Sequence, residues 1–199
     1  MKKLGLIVTA TAALFLSACG TPAPVPQDNY YRINEIAPAD TLASPKFDGV
    51  LMVERFIGDG LLGGRPIVYA DEKQSHVLNE YPYHFWIDSP PALLSDEMIS
   101  FLRKAKVAKA VVTPEMRVKT DFILTGRVRH MERITGDPGK AVVEIELALK
   151  RTDGDALMMV KTYKAEPVNE DGGVAGAVKA ISGAMDDIFN RFLKDLIDQ

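Results

Sequence analysis

The chain of 199 residues carries one cysteine, Cys19, at the end of a short apolar run. That feature constrains the fold in two ways. Without a second thiol there is no intramolecular disulfide, so the folded part must stand on an apolar core. The run itself, Leu4 to Leu16 behind Lys2 and Lys3, has the positive start, short apolar centre and small following residues of a secretory signal peptide. About a dozen apolar residues are too few to span a bilayer, which takes roughly 20. The sequence therefore predicts a removable leader, and no later stretch approaches a spanning length.

Leu16-Ser17-Ala18-Cys19 resembles a bacterial lipobox. The resemblance implies cleavage between Ala18 and Cys19 and acylation of Cys19. Residues 1–18 are then signal peptide, 19–29 an acylated, proline-rich tether and 30–199 the folded domain. Each buried acyl methylene is worth roughly 0.8 kcal/mol, so several chains hold a protein to a membrane essentially permanently. Pro22, Pro24 and Pro26 alternate with small residues and favour extended polyproline II. At about 3.1 Å per residue, such a tether reaches roughly 30 Å. Gly20 follows the cysteine where, in enteric-type bacteria, an aspartate favours inner-membrane retention. By that analogy the protein sits in the inner leaflet of the outer membrane and faces the periplasm. The net charge is −3, and loss of Lys2 and Lys3 makes the remainder more acidic. Such a domain is a poor nucleic-acid binder.

Strands are expected at Tyr30–Ile33, Gly49–Arg55, Pro66–Ala70 and Tyr83–Ile87. Val50 and Met52 on one face of the second, with Leu51 and Val53 on the other, mark a central strand. Ser89 is placed to cap a helix, and Pro90 suits its first position. Leu94, Met98, Phe101, Leu102 and Ala105 share one face of that helix. A strand over Val107–Val112 follows. Phe122–Ile134, Ala141–Lys150 and Leu157–Ala165 then read as an antiparallel meander, turning at Gly136-Asp137-Pro138-Gly139 and Asp153-Gly154. The last helix carries Val174, Ala177, Val178, Ile181, Met185, Ile188, Phe189, Phe192 and Leu196 at helical spacing, with Asp171 or Asn169 to cap it. Its stripe either packs on the sheet or offers a partner-binding face.

Little in the chain suggests bond-making chemistry. Gly58-x-Gly60-x-x-Gly63 matches the dinucleotide fingerprint in letters, but the chain continues into a strand where that site needs a helix. His76, His84 and His130 are scattered, without the paired spacing of a zinc site, and there is no Gly-x-Ser-x-Gly elbow. The sequence predicts no catalytic residue, no metal and no cofactor beyond the lipid on Cys19. Two features stand out. Leu61-Leu62 lies in a glycine-flanked loop and either folds back on the core or presents an apolar tip to a partner or lipid. Tyr81, Tyr83, Phe85 and Trp86 concentrate aromatic area that serves either the core or an interface. The candidate contact residues are Leu61, Leu62, Arg65, Tyr83 and Trp86.

Four pieces in order carry a family resemblance. They are the lipobox with Cys19, Tyr30-Tyr31-Arg32-Ile33, the stretch from Gly60 to Tyr69, and Tyr83-His84-Phe85-Trp86 followed by Pro90-Pro91 and a helix. Leu124-Thr125-Gly126 also fits, and the long spacer Asp71–Pro82 departs. The chain resembles the ABC-type transport auxiliary lipoproteins, which include the PqiC lipoproteins. The resemblance implies an α+β fold, a single domain in which a curved, largely antiparallel or mixed sheet packs against two main helices. It also implies a non-catalytic accessory role beside an MCE-domain protein of an ABC system that moves lipids or apolar compounds. The alternative is a lipid carrier with its own apolar groove. A homo-oligomer is left open.

Overall fold

The computed structural model describes residues 25–198, so the expected leader and Cys19 lie outside the described residues. The elements are β1 (Asn29–Tyr31), β2 (Phe47–Val53), β3 (Ile57–Gly58), a 3-10 turn (Gly60–Gly63), β4 (Pro66–Asp71), β5 (Gln74–Trp86) and α1 (Pro90–Ala105). They continue with β6 (Ala108–Val112), β7 (Phe122–Thr135), β8 (Lys140–Arg151), β9 (Leu157–Ala165) and α2 (Gly173–Asp198). Among the described residues, no helix is long and apolar enough to cross a membrane.

β7 is the spine. One edge pairs antiparallel with β8 from Phe122 opposite Arg151 to Ile134 opposite Lys140. The other edge takes three parallel partners in turn: β2 at Leu51–Val53, β3 at Ile57–Gly58 and β4 at Val68–Asp71. Two wings extend from them, β6 beyond β2, and β5 then β1 beyond β4. A right-handed twist accumulated over nine strands, with short partners breaking along one long edge, curls the sheet into a half-barrel. This is the expected α+β domain: a curved mixed sheet with two helices.

The helices fill the half-barrel. In β8, Ala141, Val143, Ile145, Leu147 and Leu149 are buried, while Glu144, Glu146, Ala148 and Lys150 on the other face are half-buried. α2 lays Phe189 and Phe192 against that apolar face, and α1, packed on β6 and β7, brings Phe101 edge to face with Phe189 at 5.4 Å; all three are fully buried. The α2 stripe is therefore core, and its outer side carries Lys179, Asp186, Asp187 and Lys194. Tyr163 of β9 is buried beneath α2 and donates its hydroxyl to Asp195. Burial, then that hydrogen bond, pushes the phenol well above its ordinary range, while Lys161 and Tyr163 hold Asp195 low.

Three local expectations change. Ser89 does stand at the cap position of α1, with Pro90 behind it, but its side chain makes no capping bond; its carbonyl accepts from Leu93 instead. Asn169 donates to the Gly173 carbonyl and its own side-chain oxygen has no partner among the described residues, while Asp171 pairs with Lys179, so neither caps α2 in the expected way. The fourth strand is longer than its sequence signal. β5 begins at Gln74 and forms a hairpin with β4, so the spacer Asp71–Pro82 is mostly strand. Gln74–Glu80 is exposed throughout, which removes the alternation that marks a half-buried strand.

Beyond β9, Glu166 lies between Lys140, 2.5 Å away, and Lys164, 2.6 Å away. Hydrogen bonds from Lys140 first and Lys164 next hold its carboxyl down to about 2, from an ordinary 4.5. A lowered folded value means the contribution is present above 4.5 and is lost as pH falls from there to about 2. The partners are partly solvated, so the loss is below about 1 kcal/mol. We expect acid unfolding followed by circular dichroism to show a slightly shallower decline in that window for Glu166→Gln than for the natural chain.

Candidate functional site

The outer wing concentrates the unusual local geometry. β4 and β5 pair in register from Ala70 opposite Leu78 to Val68 opposite Glu80, yet Pro66 lies opposite Phe85. The extra residues of β5 bulge out around Tyr81–His84. Bulges re-aim side chains and are enriched next to functional sites. At its centre Tyr83 has φ +60°, a left-handed backbone that a bulky residue adopts only under constraint. The Tyr83 carbonyl accepts from the Asn29 side chain, and Tyr83 remains 43% exposed.

β1 locks onto the far side of the bulge in parallel register, Asn29 to His84, Tyr30 to Phe85 and Tyr31 to Trp86. The wing gathers two groups of rings, Tyr30 with Phe85, and Tyr31, His84, Tyr81 and Tyr69. Tyr30 lies 5.8 Å from Phe85, and Tyr31 stacks on His84 at 5.7 Å. Tyr81 meets His84 edge-on and stacks on Tyr69 at 4.2 Å. The Tyr31 hydroxyl and His84 Nδ1 are hydrogen-bonded at 2.9 Å. Arg133 of β7 donates from Nη1 to the Tyr81 hydroxyl at 2.8 Å, while its buried Nε has no partner among the described residues. Arg65 donates to the Trp86 carbonyl and sits 5.3 Å from the centre of the Tyr30 ring, within cation–π range.

The predicted contact residues separate by burial. Leu61 is 38% exposed on the 3-10 turn, whereas Leu62 is 3% exposed and belongs to the main core. The single turn aims consecutive side chains in different directions, so Leu62 folds back on the core while Leu61 stays exposed. Trp86 is fully buried, and β5 delivers it to the core beside α1. Leu62 and Trp86 therefore leave the contact set, because neither offers side-chain surface. Leu61, Arg65 and Tyr83 stay at or near the surface, joined by Tyr30, which the sequence does not mark as a contact residue. Its place beside Phe85 follows from pairing two segments more than fifty residues apart.

The glycine-rich stretch does not build a phosphate site. Gly60–Gly63 forms one 3-10 turn, and the chain passes directly into β4. Among the described residues, no group of three or more His, Cys, Asp or Glu side chains is arranged to hold a metal ion. The wing offers ring faces, hydroxyls and a guanidinium, groups that suit association with an amphipathic surface.

Tyr83 can be tested directly. A left-handed backbone costs a side-chain-bearing residue ~1–2 kcal/mol. Glycine removes that strain but loses ~0.4–1 kcal/mol through a freer unfolded chain. We expect Tyr83→Gly to melt at or above the natural Tm. A fall of more than about 4 °C, roughly 1 kcal/mol or more in a domain of this size, would show that the ring holds the bulge together.

No family model matches the chain, and no curated protein matches it. Solved structures do. A protein from Xanthomonas campestris described under the family model DUF330 superposes with a TM-score of 0.74 at 16% identity, covering 85% of this chain and 95% of that one. A second, described as an uncharacterized protein, gives 0.66 at 14% identity over 86% and 99%. A hypothetical protein from Chlamydia trachomatis gives 0.51 at 7% identity over 76% and 97%. At these identities the likeness establishes a shared fold: the curled sheet with its two helices is an arrangement that distant sequences also adopt.

Proposed function

We propose that the chain is a lipoprotein of the Gram-negative envelope, held by an acylated Cys19 in the inner leaflet of the outer membrane. Its domain is a non-catalytic accessory subunit that docks the MCE-domain component of an ABC-type transport system for lipids or apolar compounds. No cofactor is assigned beyond the covalent lipid. The ordered resemblance from Cys19 to Leu124-Thr125-Gly126 supports this reading, and the fold is compatible with it. The observation that carries docking over carriage is the filled half-barrel. Trp86, Phe101, Leu124, Phe189 and Phe192 have no exposed surface and occupy the space beneath the sheet where an acyl chain would lie. A packed interior leaves the surface as the working part. Confinement to one membrane raises the local concentration of any partner, so a modest docking surface suffices.

The test combines labelling and purification. Cells fed a radiolabelled fatty acid should label the natural chain and not Cys19→Ser, and an MCE-domain protein should copurify with the labelled form. A label-free chain that stays bound to the membrane overturns the anchor. A labelled chain that binds phospholipid in its own interior, seen by native mass spectrometry, and brings down no MCE-domain protein favours the carrier.

A further inference from the structure

We propose that the β1–β5 wing rests on the membrane surface, with the Tyr30, Tyr83 and Ile87 side chains at the level of the lipid headgroups; this rests on the acylation of Cys19 proposed above. Among the described residues, six of the thirteen exposed large apolar side chains belong to this wing or to the chain just before or after it: Val25, Tyr30, Val77, Leu78, Tyr83 and Ile87. Surface tyrosines with a polar tip and an apolar body suit the boundary between water and acyl chains.

Chain length selects the lipid surface as the occupant. Tyr30 lies eleven residues from Cys19 in sequence. A fully extended chain covers at most ~3.6 Å per residue, so Tyr30 stays within roughly 40 Å of the lipid attachment point. β1 is also an end of the sheet path, with β6 at the opposite end. The part of the domain on the shortest leash thus carries six of these exposed apolar residues. The bulge strengthens the case. Tyr83 occupies a left-handed position that glycine would fill without strain, and its ring stays substantially exposed.

The charges nearby are mixed. Arg32 and Arg65 accompany Asp28, which accepts from the Tyr30 hydroxyl, and Asp88, which accepts from the Ser89 amide. Contact should therefore depend on apolar insertion and respond little to salt or to anionic lipid.

The experiment places a benzophenone amino acid at position 83 of the full acylated chain, at position 87 in a second variant, and at Val160 on the exposed edge strand β9 as the reference. Each is reconstituted in vesicles of phosphatidylethanolamine and phosphatidylglycerol, floated and irradiated. We expect at least about tenfold more lipid adduct from 83 or 87 than from 160, the ratio produced by a preference of roughly 1.4 kcal/mol. High salt should leave that ratio unchanged. Floated protein with equal adducts at all three positions, or with adducts at 83 and 87 only to a copurifying protein, overturns the membrane contact and leaves the anchor standing. Acylated protein that fails to float overturns both.

Discussion

Replacing Trp86 with alanine is expected to destabilise the domain by about 3–5 kcal/mol. The side chain is fully buried, and it joins the outer wing to the core. Its amide donates to the Arg65 carbonyl at 2.8 Å and its carbonyl accepts from the Arg65 side chain, so β5 cannot easily slide to close the space. Large-to-small changes lose the transfer free energy of the removed atoms, and they add a penalty for a cavity that does not collapse. Against a typical domain stability of ~5–15 kcal/mol, the loss is a large fraction of the whole. Chemical denaturation is the measurement, and Trp86→Phe should retain more than half of the lost stability. A loss under about 1 kcal/mol for Trp86→Ala, far below the usual range for buried aromatics, would mean that the wing is not tied to the core through this residue.

Gly126→Val should be comparably harmful for the opposite reason. Gly126 lies on the spine strand, and a Cβ there would stand 2.5 Å from the Phe56 ring. Phe56 is itself buried, following β2 into the turn towards β3. Gly126 is not among the glycines with positive φ, so its requirement is space and not backbone freedom. Inserting bulk into a packed core costs ~1–3 kcal/mol or more, and valine adds two further methyl groups to the clash. The ring can be removed to test the cause. Phe56→Ala with Gly126→Ala should be less destabilising than the sum of the two single changes, a coupling of ~0.5–3 kcal/mol that residues in contact produce. Strict additivity would place the damage elsewhere in β7.

Both changes act where long-range pairing meets local pattern, and the sequence is legible to different depths on the two sides of that boundary. The meander β7–β9, α1 and α2 were readable because one face of each meets the core and the other meets water. Ala141, Val143, Ile145, Leu147 and Leu149 carry that record in β8, as Ile181, Met185, Ile188, Phe189 and Phe192 do in α2. The first half of β5 carries no such record, since Gln74–Glu80 is wet on both faces. The candidate site was half legible. Leu61, Arg65 and Tyr83 drew notice as an apolar tip, a neighbouring cation and an aromatic cluster. Their separation from Leu62 and Trp86 depended on which way one 3-10 turn and one bulge point.

By itself the sequence determined the order of the longer strands and the helices, the reliance on an apolar core without disulfides, and the apolar stripes of the two helices. These follow from hydrophobic periodicity and residue counts, which are written locally along the chain. Tertiary structure alone decided that β7 takes three parallel partners on one edge, that β1 pairs with β5 across more than fifty residues, and that Tyr83 sits exposed in a left-handed bulge. Register and bulge position are settled by competition among distant segments for the same hydrogen-bonding edges, and no short window of sequence contains both competitors.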